Sequence, residues 1–338
     1  MTRTTATNAP LLRFALSSAA ACALALIAYP ALRLPTRRRA LAVFSACLLI
    51  LLTPLLVPAP ARLLRMLAAV LAVIFTIKLY DLHASARTRT RAGPAPGHVP
   101  TFGQFLAFLP NIFSLARRAS LRAPRPPVRR ELRSAARAVL LLLPSIPLAI
   151  LAYRFDWKPH PFALEHAAKV LTFFLVLVPL TTVGGSLWRL AGGRATDFMD
   201  NPFAARTPAD FWRRYNRPVH EFFDEHLFRP LSARARGRDP GRLRSLVGPA
   251  LLAFLVSAAV HEYVFAPAVG RVQGYQAAFF LIQGIAVAAT LRIKPRGWRA
   301  VPWTIATLAF NLATGVLFFA SLNHVLPIYQ HPVPLWDE

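Results

Sequence analysis

Negative charge is scarce in this chain. Only 14 Asp and Glu stand against 40 Lys and Arg, 16% of the 338 residues are charged, 55% are hydrophobic, and the mean hydropathy is positive. That balance excludes an ordinary soluble globule and leaves the membrane class. Cysteine is nearly absent too. Cys22 and Cys47 both fall inside apolar runs, so neither a disulfide framework nor a zinc spacing can be drawn, and no metal is expected. No internal repeat is present, and the inverted symmetry of many transporters is not visible.

Long apolar runs are what the chain has instead. A bilayer crossing takes about 17–25 apolar residues, and runs of that order lie at 14–34, 40–57, 63–82, 137–153, 166–188, 247–268, 274–291 and 301–322. The expected fold is an all-α polytopic membrane protein, with about eight transmembrane helices in one membrane-embedded domain over 1–338 and interfacial or re-entrant helices in its cytoplasmic connections. The first run is longer than a signal-peptide core, and its charges follow it instead of preceding it, so an uncleaved first helix is expected.

A formal net charge of +26 does not point to nucleic acid, because the basic residues are sorted by connection and not gathered on one folded face. Alternate connections, near 33–39, 87–137, 189–244 and 292–299, hold 31 Lys and Arg. The opposite set holds 8: Arg3, Arg13, Arg62, Arg65, Arg154, Lys158, Lys169 and Arg271. This is the positive-inside pattern. It puts both termini outside the cytoplasm, with an inner bacterial membrane as the expected location.

Two basic connections are long. The one over 83–136 contains a Pro/Gly-rich stretch, RTRTRAGPAPGHVPTFGQ, and continues into short apolar clusters expected to lie on the membrane interface. The one over 191–246 carries seven of the fourteen acids: Asp197, Asp200, Asp210, Glu221, Asp224, Glu225 and Asp239. In TPADFWRRYN, Thr207 reads as an N-cap, Pro208 as the first helical residue and Asp210 as the acid of a capping box. Pro218 pushes Arg217 away from helical angles, so the helix should break near Asn216, a residue that tolerates left-handed angles. A second helix over 218–228 would bury Val219, Phe222, Phe223, His226 and Leu227 along one face. The pair reads as an aromatic hairpin pressed against the membrane.

Four ionisable residues lie deep in the expected spans: Lys78, Asp81, His261 and Glu262. A charge at the bilayer centre costs about 2.5–3.5 kcal/mol or more, so each needs a reason. Lys78 and Asp81, three apart on one helical face, read as an ion pair. His261 titrates near neutrality, and Ser257 and Ala258, one turn before it, are small enough to leave room for a ligand. A buried histidine bonded to a neighbouring helix reads equally well. Glu262 points about 100° away and suits a pairing with another helix. His220 and Asp224, four apart, are placed for a surface pair.

The stretch DNPFAARTPADFWRRYNRPVHEFFDEHLFRP, with VSAAVHEYVF placing His261 45 residues after Asn216, resembles the membrane-bound O-acyltransferase family, its wax-synthase-like branch most closely. The family carries a segment that opens on Phe-Trp and closes on Trp-Asn, and a later membrane histidine followed by Glu. NRPVHEF is similar to a segment of diacylglycerol and sterol acyltransferases, and KLYDLH is similar to a stretch of wax synthases. Tyr215 departs from the commoner Trp.

The resemblance implies transfer of a fatty acyl group from acyl-CoA, as co-substrate, to the hydroxyl of a lipophilic alcohol among membrane lipids, with no bound cofactor. It implies His261 as general base and Asn216 as its orienting or oxyanion partner. Trp212, Tyr215, His220, Glu262 and Ser257 would surround substrate, and Arg213, Arg214 and Arg217 would face the phosphates of coenzyme A, although the positive-inside rule explains those arginines equally well. Two other classes stay open on the residues alone: a proton-coupled transporter or channel with His261, Glu262, Lys78 and Asp81 as a relay, and a lipid-binding member without activity.

Overall fold

The computed structural model describes residues 4–86, 99–123, 125–231 and 244–336, with the side chains of 4–8 and 244–245 outside the description. The stretch over 87–98 and Asp239 also lie outside it. The described residues form twelve α-helices and no strand. In chain order they are α1 (Thr4–Ile27), α2 (Thr36–Leu52), α3 (Arg62–Ser85), α4 (Phe102–Phe108), α5 (Arg117–Arg122), α6 (Val128–Arg154), α7 (Phe162–Leu190), α8 (Pro208–Arg214), α9 (Arg217–Phe223), α10 (Arg244–Val269), α11 (Tyr275–Thr290) and α12 (Ala300–Asn323).

Seven stretches among the described residues are long and apolar enough to cross a membrane: Ala9–Arg33, Thr36–Leu56, Arg62–Ser85, Val128–Arg154, Phe162–Leu190, Leu246–Val269 and Gly297–Asn323. They coincide with seven of the eight expected spans. The remaining one, α11, has only 16 residues, about 24 Å of helix against a hydrocarbon core of about 30 Å. Gly274, at φ 81°, sets its start, and Thr290 turns its hydroxyl back onto the Ala286 carbonyl at its last turn.

The chain divides into two compact units, Met1–Arg118 with Val260–Val272, and Ala119–Ala259 with Gln273–Glu338. Helix α10 contributes to both. In the first unit, Ala21 and Ala25 of α1, Ala28 just beyond it and Ala72 of α3 are buried in one cluster. Small side chains let helices approach closely where no hydrophobic drive separates helix from lipid. The connection after α3 is more than an interfacial collar. A complete capping box between Thr101 and Gln104 starts α4, and Phe105 and Phe108 are buried.

Lys78 explains part of that burial and corrects the expected ion pair. Its ammonium donates to the carbonyls of Phe108, Asn111 and Ser114 at 2.6, 2.8 and 3.1 Å, 4.0 Å from the Phe108 ring centroid. Asp81 accepts from the Arg117 amide at 2.9 Å and acts on Lys78 through its charge. Both residues therefore hold the connection beyond α3.

In the second unit, α6 and α7 form an antiparallel pair joined through residues 155–161. Leu140, Leu141, Leu143 and Leu151 of α6 are exposed, as a lipid-facing row requires. Helices α11 and α12 also run antiparallel. Gln276 donates to the Phe318 carbonyl, and Gln283, two turns on, meets Thr314 and Asn311, one and two turns back along α12.

Candidate active site

The hairpin expected over 207–228 is built by local chemistry. Thr207 accepts from the Asp210 amide at 3.1 Å, and Pro208 opens α8. The reciprocal bond of the box lands one residue early, from the Arg206 amide to Asp210 Oδ2 at 3.2 Å. Helix α8 stops at Arg214. Asn216 then adopts φ 45°, ψ 60°, the left-handed region that Asn tolerates better than other side chains. Backbone bonds bracket the turn: the Asp200 amide donates to the Arg214 carbonyl and the Arg217 amide to the Phe198 carbonyl, both at 2.9 Å. The Asn216 side chain makes no capping bond to α9.

Beyond the turn, α9 covers Arg217–Phe223, and Asp224–Phe228 widens into a single π turn. The expected regular helix over 218–228 is thus interrupted, and its apolar face loses register. Phe222 is buried, whereas Val219, Phe223, His226 and Leu227 are half-buried. Asp224 binds Arg229 at 2.7 Å, so His220 feels it only through space. His220 reaches the surface, yet the atoms packed around it lower its pKa, Asp224 raises it, and Arg213 and Arg217 lower it further.

Trp212 carries α8 into the helical bundle. Its ring lies 5.2 Å from Phe254, 5.5 Å from Tyr215 and 5.8 Å from Phe280, centroid to centroid. Its indole N–H donates to Gln283 Oε1 at 2.9 Å. The Ala209 amide, one turn earlier, donates to Thr290 Oγ1 at 3.2 Å. The aromatic box is tight: a Cβ on Gly284 would lie 2.8 Å from Phe254 Cβ, so only glycine lets α11 approach that ring. Burial pushes the Tyr215 phenol up to about 12, which keeps it protonated at neutral pH.

The basic residues of α8 are engaged by acids. Asp210 meets Arg213 at 2.5 Å and Arg214 at 3.1 Å, and Arg214 lies 3.9 Å from Asp200. The Arg213 side chain remains 66% exposed, so its guanidinium is accessible for an anion; Arg217 is half-buried. Burial opposes ionisation of Asp210, but bonds from Arg213, the Arg206 amide and Arg214 outweigh it and hold its pKa below the ordinary carboxylate value.

His261 and Glu262 sit on the part of α10 that belongs to the first unit, both half-buried. The adjacent Tyr263 hydroxyl donates to the Leu51 carbonyl at 2.5 Å and ties this part of α10 to the end of α2. Ser257, in the second unit, donates to the Ala253 carbonyl one turn back at 2.9 Å, and Ala258 is buried.

Several polar residues escape a reading by spacing alone. Gln283, Asn311 and Thr314 form the relay behind Trp212, and the only sequence signal for it is the need of a buried indole N–H for an acceptor. A second cluster surrounds Glu165, which the sequence places at the end of a span. It lies 2.5 Å from both Lys169 and His331 and accepts from the Gln330 amide at 2.7 Å. His166 stands between the Tyr329 hydroxyl at 2.7 Å and the Leu312 carbonyl at 2.8 Å.

Residues 164–319 match the model of MBOAT, the membrane-bound O-acyltransferase family. No curated protein matches the chain.

Proposed function

We propose that this chain, whose residues 164–319 match the membrane-bound O-acyltransferase family model, transfers a fatty acyl group from acyl-CoA to the hydroxyl of a lipophilic alcohol, in the manner of the wax-synthase-like branch. The observation that carries this reading is the Asn216 turn: an asparagine held left-handed by its backbone, whose side chain makes no capping bond. A left-handed backbone already favours asparagine there; because its side chain is not spent on a cap, its amide is left for a further role.

His261 takes the proton of the acceptor hydroxyl as the oxygen attacks the thioester carbonyl. The tetrahedral oxyanion then collapses, the C–S bond breaks, and the coenzyme A thiolate leaves with the proton returned by the imidazole. No acyl-enzyme is formed. Asn216 orients the histidine or donates its amide N–H to the oxyanion. Hydrocarbon around the reaction excludes the water that would hydrolyse the thioester. Trp212, Tyr215, His220, Ser257 and Glu262 shape the surroundings of substrate. Arg213, with Arg214 and Arg217, supplies positive charge toward the phosphates of coenzyme A.

Purified protein in lipid nanodiscs is assayed for ester formation from acyl-CoA and a long-chain alcohol. His261→Ala should abolish turnover, by at least about a hundredfold if it is the base. Asn216→Ala should lower kcat while the protein keeps its elution profile. Wild-type rates in the histidine variant would reject the assignment, and an unchanged asparagine variant would confine Asn216 to the turn.

A further inference from the structure

We infer that Gln283 is a positioning residue for acyl transfer: its side-chain amide locks the Trp212 indole to α12 and so fixes the turn that carries Asn216. This rests on the hairpin being part of the catalytic machinery.

The direction of every bond in the relay is set by groups that have no alternative. An indole N–H can only donate, so the Gln283 atom 2.9 Å from it is the oxygen. At the other end the Thr314 hydroxyl donates to the Phe310 carbonyl at 2.8 Å, so it accepts from Gln283 Nε2, also at 2.8 Å. The second Nε2 hydrogen goes to Asn311 Oδ1 at 3.3 Å. A primary amide satisfies one acceptor role and two donor roles at once, with Gln283 only 1% exposed. An ionised carboxylate offers no donor, and an apolar side chain leaves the indole, Thr314 and Asn311 without their partner.

The aromatic box cannot fix the position alone. Ring contacts are soft in distance and angle, whereas the indole bond fixes how deeply Trp212 enters. Ala209 and Trp212, three apart on α8, dock on Thr290 and Gln283, seven apart on α11. From Trp212 the chain reaches Asn216 in four residues. Releasing the indole therefore loosens the docked face of α8 that leads directly into the Asn216 turn.

The alternative is that the amide merely glues α11 to α12, as polar side chains do between membrane helices. A mutant cycle separates the two. Gln283→Met, Trp212→Phe, their combination and Gln283→Glu are assayed for ester formation, and amide hydrogen exchange is followed in the 208–223 hairpin and in α6–α7. Gln283→Met should lower kcat several-fold, up to about tenfold, with KM for the acyl donor little changed. The double variant should be no slower than Trp212→Phe, because both changes break one linkage. Exchange should rise in the hairpin and not in α6–α7.

Gln283→Glu provides the rescue. Protonated, its carbonyl accepts from the indole and its hydroxyl donates to Thr314, so activity should stay near wild type at low pH. It should fall as pH rises and the carboxyl ionises, a dependence absent from wild type. Additive losses in the cycle, or an unchanged hairpin exchange, would overturn the inference. If Gln283→Met does not fold, the pH profile of Gln283→Glu decides. If wild type esterifies no alcohol, the proposed function fails, and the exchange data still decide whether Gln283 holds the hairpin.

Discussion

Glu165 and Lys169 stand one turn apart on α7, almost completely buried, so neither charge faces bulk solvent. The carboxylate gathers Lys169, His331 and the Gln330 amide, while Lys169 also donates to the Ile328 carbonyl at 2.6 Å. His166 completes the docking of the same segment. A carbonyl only accepts, so the nitrogen facing Leu312 carries the proton and the other accepts from the Tyr329 hydroxyl. Residues 328–331 are thereby fastened to α7 by polar bonds on both sides. Removing Lys169 leaves the buried carboxylate with only His331 and the Gln330 amide, and removing Glu165 leaves the ammonium with the Ile328 carbonyl; losing one member of a buried pair costs about 3–5 kcal/mol, whereas removing both is far milder. Lys169→Met should lower the denaturation midpoint sharply in detergent, and Glu165→Gln/Lys169→Met should recover most of the loss; equal midpoints for the two would refute the buried pair. The four-residue spacing in EHAAK was visible in the sequence. Its partners lie more than 150 residues later, which no local pattern reports.

Among the elements, α8 was legible because everything that starts and stops it is local: Thr207, Pro208 and Asp210 at its start and the left-handed Asn216 after its end; Arg217, expected off helical angles ahead of Pro218, is instead the first residue of α9. The π turn after α9 was not, since it depends on partners elsewhere. Arg229 draws Asp224 across the π turn, and Arg122 pairs with Glu225. The apolar run over 274–291 marks α11 to within one residue at each end. The same electrostatics make the hairpin acid-sensitive. The Asp210 pKa is depressed in the folded protein, so its contribution is fully present above the unfolded carboxylate pKa of about 3.9 and disappears as pH falls through the lower folded value. Hairpin protection from proteolysis should decline across that window in wild type. In Asp210→Asn it should be weaker at neutral pH and flatter toward acid. A wild-type decline matched in full by Asp210→Asn would assign the effect to another group.

At the scale of the whole molecule, the basic residues and the short helix bear on each other. With α11 crossing, Arg292, Lys294, Arg296 and Arg299 are among the 31 Lys and Arg of the basic connections; without it they fall on the sparse side and the charge rule weakens. Within the second unit, α11 runs antiparallel beside α12, a full-length span. Its beginning lies with Gln273, whose carbonyl accepts from Trp336 at 3.4 Å, and its far end with Arg206, which donates to the Pro295 carbonyl at 3.2 Å. A helix of about 24 Å can cross where the bilayer thins locally or where flanking residues snorkel, at a fraction of a kcal/mol per Å of mismatch. The expected topology therefore has both termini on the non-cytoplasmic side. In a bacterial host, a reporter active only outside the cytoplasm should work when fused after residue 338, and one active only inside should work when fused after residue 296. The reverse pattern, or the same sidedness at both positions, would mean that the last two helices do not cross as an antiparallel pair, and the basic 292–299 connection would then need a reason other than orientation.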